Sequence, residues 1–166
     1  MIETRLDKNF KIQGFFDKET STISYVVYDL KSKKCAVIDS VLDFDFSSGT
    51  IDYHNAEKII SYIEKLKLDL EWLIETHVHA DHLSASPYIQ KKLGGKIGIS
   101  EKISDIQNIF GKTFNAGTEF QRDGSQFDRL FKDNDEYKIG NINCKVINTP
   151  GHTPACTAHV IGNSIF

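Results

Sequence analysis

The sequence predicts an α/β protein with mixed sheets, built as one layered domain over residues 1–166. Antiparallel strand candidates open the chain, an amphipathic helix and a short buried strand follow, and strands and helices then alternate. The length of 166 residues and the hydrophobic content of 40% are ordinary for a single globular domain.

The first forty residues predict a β-meander, because alternating, β-branched and aromatic residues form strands over 10–15, 22–28 and 36–39. Residues 40–53 contain Ser, Gly and Asp without periodicity, which predicts a loop. Asn55 is the predicted N-cap of a helix. The apolar residues of that helix recur at helical spacing and are Ala56, Ile59, Ile60, Ile63 and Leu66.

The second half of the chain predicts alternating strands and helices. Residues 70–74 form a short apolar run that is typical of a strand buried on both faces. A helix is expected over 83–93, closed by Gly94-Gly95. The remaining predicted elements are a strand over 96–99, a short helix near 101–109, and strands over 137–139, 142–148 and 157–161.

The segment from His77 to His82, with the pattern H-x-H-x-D-H, is the most informative feature of the chain. Its chance expectation over this composition is on the order of one in a thousand. Neutral imidazole and carboxylate are the standard ligands of zinc and non-haem iron. The segment directly follows the buried strand, and the next helix is expected to begin at its end. The pattern therefore predicts a metal site at a strand end.

The spacing assigns roles within this site. His77 and His79 are two residues apart, so their side chains point the same way in extended backbone and can share one ion. Asp81 and His82 are predicted both as ligands and as catalytic residues, because they can reach a second ion or hold a water. His152 follows Pro150-Gly151, a sharp turn at a strand end, and is predicted as a further imidazole ligand.

Other reactive side chains receive structural roles. His54 in the predicted loop and His159 inside the last predicted strand are not expected to be ligands. Cys156 is expected to be a small buried side chain at a strand end. Ser84 and Ser86 are not expected to be nucleophiles, since metal-dependent chemistry needs none.

Charge and composition exclude several functions. The net charge of −3, without a binding cluster of Lys and Arg, argues against a nucleic-acid partner. No apolar run reaches the length of a membrane span and no signal peptide is evident, so no membrane association is expected. Three cysteines without a C-x-x-C pair argue against a disulfide framework and predict a cytoplasmic protein.

Two motifs carry a resemblance to a known family. Thr76 to His82, together with the segment Thr149-Pro150-Gly151-His152-Thr153-Pro154, resembles the metallo-β-lactamase superfamily. Further stretches are similar to its persulfide dioxygenases and bacterial β-lactamase-like hydrolases: 17–25, 36–43, 75–77, 93–98, 124–128 and 154–156. The resemblance implies an αββα sandwich with metal at the edges of the two sheets.

The resemblance also implies alternative metals and ligand sets. In hydrolases of this family, residues matching His77, His79 and His152 hold one zinc, and residues matching Asp81 and His82 contribute to a second. In its persulfide dioxygenases, residues matching His77 and His152 hold one Fe(II) together with a later aspartate. The substrate there is glutathione persulfide, which is oxidised to sulfite and glutathione.

The family aspartate would follow the end of this chain, at Asn163 to Phe166. We therefore expect the fold to lack much of the C-terminal half, and the apolar end to favour a homo-oligomer. Three functions stay open: an Fe(II)-dependent persulfide dioxygenase impaired by truncation, a zinc hydrolase of a thioester or a β-lactam, and an inactive remnant.

Overall fold

The computed structural model describes residues 9–166 of the chain. Within that range, strands and helices alternate after an opening set of hairpins, so the predicted α/β class with mixed sheets is confirmed. The elements are β1 (Phe10–Phe16), β2 (Ile23–Asp29), β3 (Lys34–Ile38), β4 (Val41–Asp45), β5 (Thr50–Asp52), α1 (His54–Lys65), β6 (Asp69–Ile74), β7 (Leu83–Ser84), α2 (Ser86–Leu93), β8 (Lys96–Ser100), α3 (Ile103–Thr113), β9 (Arg129–Phe131), β10 (Glu136–Ile139), β11 (Ile142–Asn148), β12 (Thr157–Ile161) and β13 (Ser164–Ile165).

The largest sheet has six strands in the order β1-β2-β3-β6-β8-β9. Strands β1, β2 and β3 are antiparallel, whereas β3, β6, β8 and β9 run parallel to one another. Parallel strands bring their carboxyl ends to the same edge of a sheet, which is where α/β proteins place ligands. Asp39 follows β3 and Glu75 follows β6 at this edge.

A second, antiparallel sheet of order β10-β11-β12-β13 packs against the first. Strand β11 alternates buried and exposed residues, because only one of its faces covers the core. The Trp72 Nε1–H of β6 also donates to the Lys138 carbonyl of β10, at 2.9 Å. Buried residues shared by the two sheets are Phe10, Val27, Ala36, Ile38, Ile74, Ile139, Ile142, Cys144 and Ile161.

Helices α1 and α2 cover the opposite face of the six-stranded sheet. The predicted apolar stripe of α1 is buried there at Ala56, Ile59, Ile60 and Ile63. Helix α3 packs Ile103 and Ile106 into a smaller cluster with Ile99 of β8. The described residues thus form helix, sheet and sheet layers, with the edges of both sheets meeting at the histidine-rich loop.

Two predicted boundaries near this loop are wrong. The expected loop at 40–53 forms the hairpin β4–β5, and the helix expected from Leu83 begins only at Ser86. The reason is that Leu83 and Ser84 pair with Leu42 and Val41 as a third strand beside the hairpin. Asp81 and His82 therefore precede a strand and not a helix.

Smaller differences concern helix ends and short strands. Asn55 lies inside the first turn of α1 and does not cap it; its amide instead donates to Asp17 and Asp43. His54 begins that helix, and the helix expected near 101–109 extends over Ile103–Thr113. Strands β9 and β13 were not predicted. No helix within residues 9–166 is long and apolar enough to cross a membrane.

Candidate metal centre

The loop between β6 and β7 brings three of the predicted ligand histidines together. The ring centroids of His77 and His79 are 4.2 Å apart, and those of His79 and His82 are 4.1 Å apart. Backbone N–H of Glu75 donates to the Gly98 carbonyl at 2.9 Å, which continues the pairing of the parallel strands up to the loop. The rigid end of β6 thus fixes the start of the histidine segment.

His152 joins this cluster from the second sheet. Its ring centroid lies 5.0 Å from that of His77, although 75 residues separate the two in the sequence. The two loops are held together behind the imidazoles, since both the N–H and the Oγ1 of Thr157 donate to the Thr76 carbonyl, at 2.9 and 3.1 Å. The predicted convergence of the two distant loops is therefore present in the structure.

Two carboxylates that the sequence analysis did not single out hold the ring of His79. Its Nε2 lies 3.1 Å from Asp39 Oδ1 and 3.0 Å from Glu75 Oε2. Glu75 is buried and also accepts hydrogen bonds from the hydroxyls of Ser84 and Ser86, both at 2.5 Å. These contacts occupy Nε2 of His79 and direct its other nitrogen, Nδ1, towards Asp81, 4.0 Å away.

The electrostatics of the cluster follow from these contacts. Burial opposes protonation of His79, but the hydrogen bonds that its ring donates to Asp39 and Glu75 outweigh burial and raise the pKa of His79 to about 10. The same pairing holds the pKa of Asp39 below its usual value despite burial. Burial and the neighbouring His79 lower the pKa of both His77 and His82. Neutral imidazoles are the form that binds metal.

Asp39 occupies a strained backbone position. Its φ of 49° lies in the left-handed region, which Asp tolerates better than most residues. The carboxylate accepts from the backbone N–H and the Oγ1 of Thr76, at 2.8 and 2.7 Å. This conformation turns the side chain back over the carboxyl end of β6, where it meets His79.

Asp81 and His82 lie on the other side of His79. The Asp81 side chain is half exposed and accepts a 3.4 Å hydrogen bond from Thr22 Oγ1. The His82 side chain is only 1% exposed, and its Nδ1 lies 3.4 Å from Asp81 Oδ1. Nevertheless, neither ring nitrogen of His82 makes a hydrogen bond with any residue in 9–166. Burying two such nitrogens is costly unless a ligand engages one of them.

The donor set fits a metal ion. His77, His79 and Asp81 each offer one ligand atom, and these atoms all lie within 4.8 Å of one another. The unpaired nitrogens of His82 and the nearby ring of His152 extend the same set. Imidazole and carboxylate donors of this kind match zinc or non-haem iron. Asp39 and Glu75 are placed as outer carboxylates that would orient the candidate ligand His79.

A sequence signal for these two carboxylates did exist. Asp39 directly follows the apolar run Ala36–Ile38, and Glu75 directly follows the run 70–74. If the two strands are assumed to be parallel neighbours, both acids fall at one sheet edge beside the histidines. Periodicity alone does not establish that adjacency, because it does not specify which strands pair.

The remaining reactive side chains are engaged elsewhere. His159 is fully buried, with Nδ1 3.0 Å from the Tyr137 hydroxyl and Nε2 3.3 Å from Thr157 Oγ1, and burial lowers its pKa to about 4. Ser84 and Ser86 donate to Glu75. Cys156 is half-buried just before β12, where its sulfur lies 3.1 Å from Thr153 Oγ1.

The geometry agrees with comparison to known proteins. The model of the metallo-beta-lactamase superfamily matches residues 18–162, which include both histidine loops. The chain belongs to this superfamily. It is 49% identical over 150 residues to a probable metallo-hydrolase of Burkholderia pseudomallei, covering 90% of this chain and 51% of that protein.

Two further similar proteins carry the name ETHE1. The human mitochondrial persulfide dioxygenase ETHE1 is 24% identical over 152 residues, covering 92% of this chain and 48% of that protein. The crystal structure of ETHE1 from Myxococcus xanthus superimposes with a TM-score of 0.70 at 23% identity, covering 94% of this chain and 56% of that one. The chain thus spans about half the length of these relatives, and the structural match supports the superfamily fold.

Proposed function

We propose that this member of the metallo-β-lactamase superfamily carries the metal centre of an Fe(II)-dependent persulfide dioxygenase acting on glutathione persulfide. The observation that supports this best is the convergence of His77 and His152, which come from two distant loops and form an adjacent imidazole pair with a centroid distance of 5.0 Å. A two-histidine set with one carboxylate is the arrangement of non-haem iron oxygenases.

The resemblance to persulfide dioxygenases extends over 92% of the chain. The overall reaction converts RSSH, O₂ and water into RSH, sulfite and two protons, so atoms and charge balance. Fe(II) bound by His77 and His152 would supply the redox chemistry that joins O₂ to sulfur. The chain's own residues position these imidazoles: the Thr76–Thr157 hydrogen bonds fix the loops, and Asp39 and Glu75 fix the ring between them.

A second candidate function is zinc-dependent hydrolysis of a thioester or β-lactam. It is favoured by the buried His82, whose ring nitrogens are both unpaired in the described part of the chain. Together with Asp81 it offers ligands for a second ion beside the first. Two-metal hydrolases place their ions about 3.5–4 Å apart, a spacing comparable with the distances within this cluster. The 49% identity to a probable metallo-hydrolase supports the same alternative.

Metal content and turnover of the purified full chain test both proposals. The dioxygenase proposal expects one iron per chain and O₂ consumption with glutathione persulfide. Two zinc ions per chain and hydrolysis of a glutathione thioester would instead support the hydrolase proposal and contradict the dioxygenase. A preparation that holds no stoichiometric metal and turns over neither substrate contradicts both.

Single substitutions sharpen this test. His152→Ala should remove metal under either proposal, whereas His82→Ala should leave one iron in the dioxygenase and remove one of two zincs in the hydrolase. His54→Ala is the matched control, because His54 is exposed at the start of α1 and outside the cluster. Its metal content should equal that of the unmodified chain.

A further inference from the structure

His159 is a buried polar side chain that lies behind the metal centre and is not one of its candidate ligands. It is fully buried on β12, where Thr157, His159 and Ile161 face the interior between the two sheets. The rings of Phe131 and Tyr137 pack edge to face against its imidazole, with centroids 5.4 and 5.7 Å away. An apolar side chain of the same shape would fill this layer without two polar nitrogens to satisfy. Packing alone therefore does not account for a histidine here.

Both ring nitrogens of His159 belong to a chain of hydrogen bonds that ends at the metal-binding loop. Nδ1 lies 3.0 Å from the Tyr137 hydroxyl, and Nε2 lies 3.3 Å from Thr157 Oγ1. The Thr157 hydroxyl donates in turn to the Thr76 carbonyl at 3.1 Å, beside the Thr157 N–H at 2.9 Å. Thr76 directly precedes the candidate ligand His77. The chain thus connects the interior of the second sheet to the start of the histidine segment.

The carbonyl at the end of this chain fixes the direction of every donor in it. A carbonyl oxygen only accepts, so the hydrogen of the Thr157 hydroxyl points to Thr76 and its oxygen offers a lone pair to His159. Nε2 of His159 must then carry the ring hydrogen. Burial lowers the pKa of His159 to about 4, so the ring is neutral near pH 7 and Nδ1 accepts from the Tyr137 hydroxyl. One tautomer therefore satisfies the whole chain.

Thr76 passes this restraint on to His77. The Thr76 hydroxyl donates to Asp39 Oδ2 at 2.7 Å, and its oxygen lies 3.0 Å from His77 Nδ1. Because the hydroxyl hydrogen is directed to the carboxylate, the oxygen accepts from Nδ1–H of His77, which leaves the lone pair of that ring on Nε2. The backbone N–H of Thr76 also donates to Asp39, at 2.8 Å. The orientation of the His77 ring therefore depends on where Thr76 is held.

We infer that His159 is a positioning residue of the metal centre, an inference that rests on the proposed function. It holds the hydroxyl of Thr157 on the carbonyl of Thr76. These bonds join the two ligand loops and restrain the separation between the rings of His77 and His152, which is 5.0 Å. Without a donor at position 159, the Thr157 hydroxyl is free to rotate and this restraint weakens. The role is the same for iron and for zinc, because the chain of hydrogen bonds positions imidazoles and contacts no ion.

Two amide substitutions at position 159 separate the two hydrogen bonds of the ring. A glutamine amide reaches the place of Nε2 and keeps a donor for Thr157, whereas the shorter asparagine reaches only the place of Nδ1, beside Tyr137. His159→Asn should weaken Co(II) binding to the full chain by about fivefold, and His159→Gln by less than about twofold. The expected loss lies below the roughly 10–100-fold typical of a direct partner of a ligand, because His159 acts through Thr157.

Two further measurements distinguish positioning from a loss of stability. The visible absorption spectrum of bound Co(II) reports the arrangement of its ligands, and it should change in His159→Asn and stay unchanged in His159→Gln. Nitrogen-15 NMR of the metal-free chain should place the ring hydrogen of His159 on Nε2. Equal losses of affinity in the two variants, a spectrum that neither variant changes, or a ring hydrogen on Nδ1 would overturn the inference.

Substitutions at Thr157 test the next link of the chain. Thr157→Val keeps the volume but removes the hydroxyl, and it should weaken Co(II) binding as His159→Asn does, whereas Thr157→Ser keeps the hydroxyl and should not. His159→Asn/Thr157→Val should bind Co(II) about as well as Thr157→Val alone, because both changes break the same connection. Additive losses would contradict this. His54→Asn is the matched control, exposed at the start of α1 and outside the chain of hydrogen bonds.

Metal binding and turnover separate this inference from the proposed function. A chain that binds Co(II), responds to these substitutions as expected and oxidises no persulfide with Fe(II) rejects the proposed function and supports the role of His159. A chain that binds no Co(II) contradicts both.

Discussion

Glu75→Gln tests whether the outer carboxylates build the metal centre. Glu75 Oε1 accepts hydrogen bonds from the hydroxyls of Ser84 and Ser86, and Glu75 Oε2 lies 3.0 Å from His79 Nε2. Glutamine keeps one carbonyl oxygen for the two serines, so its NH₂ group takes the place of Oε2. A donor then faces the His79 nitrogen that needs an acceptor, while Asp39 still accepts from it at 3.1 Å.

The size of the effect follows from this partial loss. Removal of an outer-shell partner of a metal ligand typically costs 10–100-fold in affinity. Because one of two acceptors remains, we expect Glu75→Gln to weaken zinc binding by about tenfold, or ~1.4 kcal/mol. Asp39→Gly/Glu75→Gln removes both acceptors, in a position whose φ of 49° glycine adopts readily, and should reach about 100-fold.

Competition with a chromophoric chelator at pH 7 measures these affinities, and Glu64→Gln serves as the exposed control. The opposing effect is that loss of Glu75 also lowers the pKa of His79, which reduces proton competition for that ring. If Glu75→Gln binds zinc as tightly as the unmodified chain, or more tightly, the carboxylates hold only a proton and the reasoning is refuted.

Three further predictions concern stability. The pKa of His159 is about 4 in the folded protein, below the usual 6.5, so the free energy of unfolding falls by about 3 kcal/mol as the pH drops from 6.5 to 4. His159→Asn should lose this part of the pH dependence in urea titrations. An unaltered pH profile would contradict the prediction. Gly98→Ala places a Cβ 2.5 Å from the Phe131 ring, which is fully buried, and should cost about 1–3 kcal/mol in the same assay, whereas the exposed and spatially open Gly151→Ala should cost much less. Removal of bound metal with a chelator should lower Tm, since binding to the folded state alone stabilises it; identical melting with and without metal would show that the cluster does not bind it.

Much of the framework could be predicted from sequence because burial imposes periodicity. The apolar stripe of α1 and the alternation of β11 and β12 reflect a face that packs against the core, and the structure buries these residues as expected. The short strands β4, β5 and β7 could not be predicted in this way. Strand β5 is exposed and β7 has two residues, so their pairing depends on a contact between distant segments and not on local pattern.

The candidate site divides along the same line. The four candidate ligand residues of the H-x-H-x-D-H segment lie within six consecutive positions, so their type and spacing alone predict a metal site. Asp39 and Glu75 each look like ordinary acids after a strand until β3 and β6 are known to be parallel neighbours.

The hydrogen bonds from Thr157 to the Thr76 carbonyl join loops that belong to different sheets. The gap between the His77 and His152 rings is therefore governed by how far apart the sheets stand, and thus by the volume of side chains such as Ile74 and Ile161 between them. A substitution that changes the volume of a buried aliphatic residue between the sheets would change the distance between these two rings. The size of the ion that the rings accommodate would change with it, although no candidate ligand is altered.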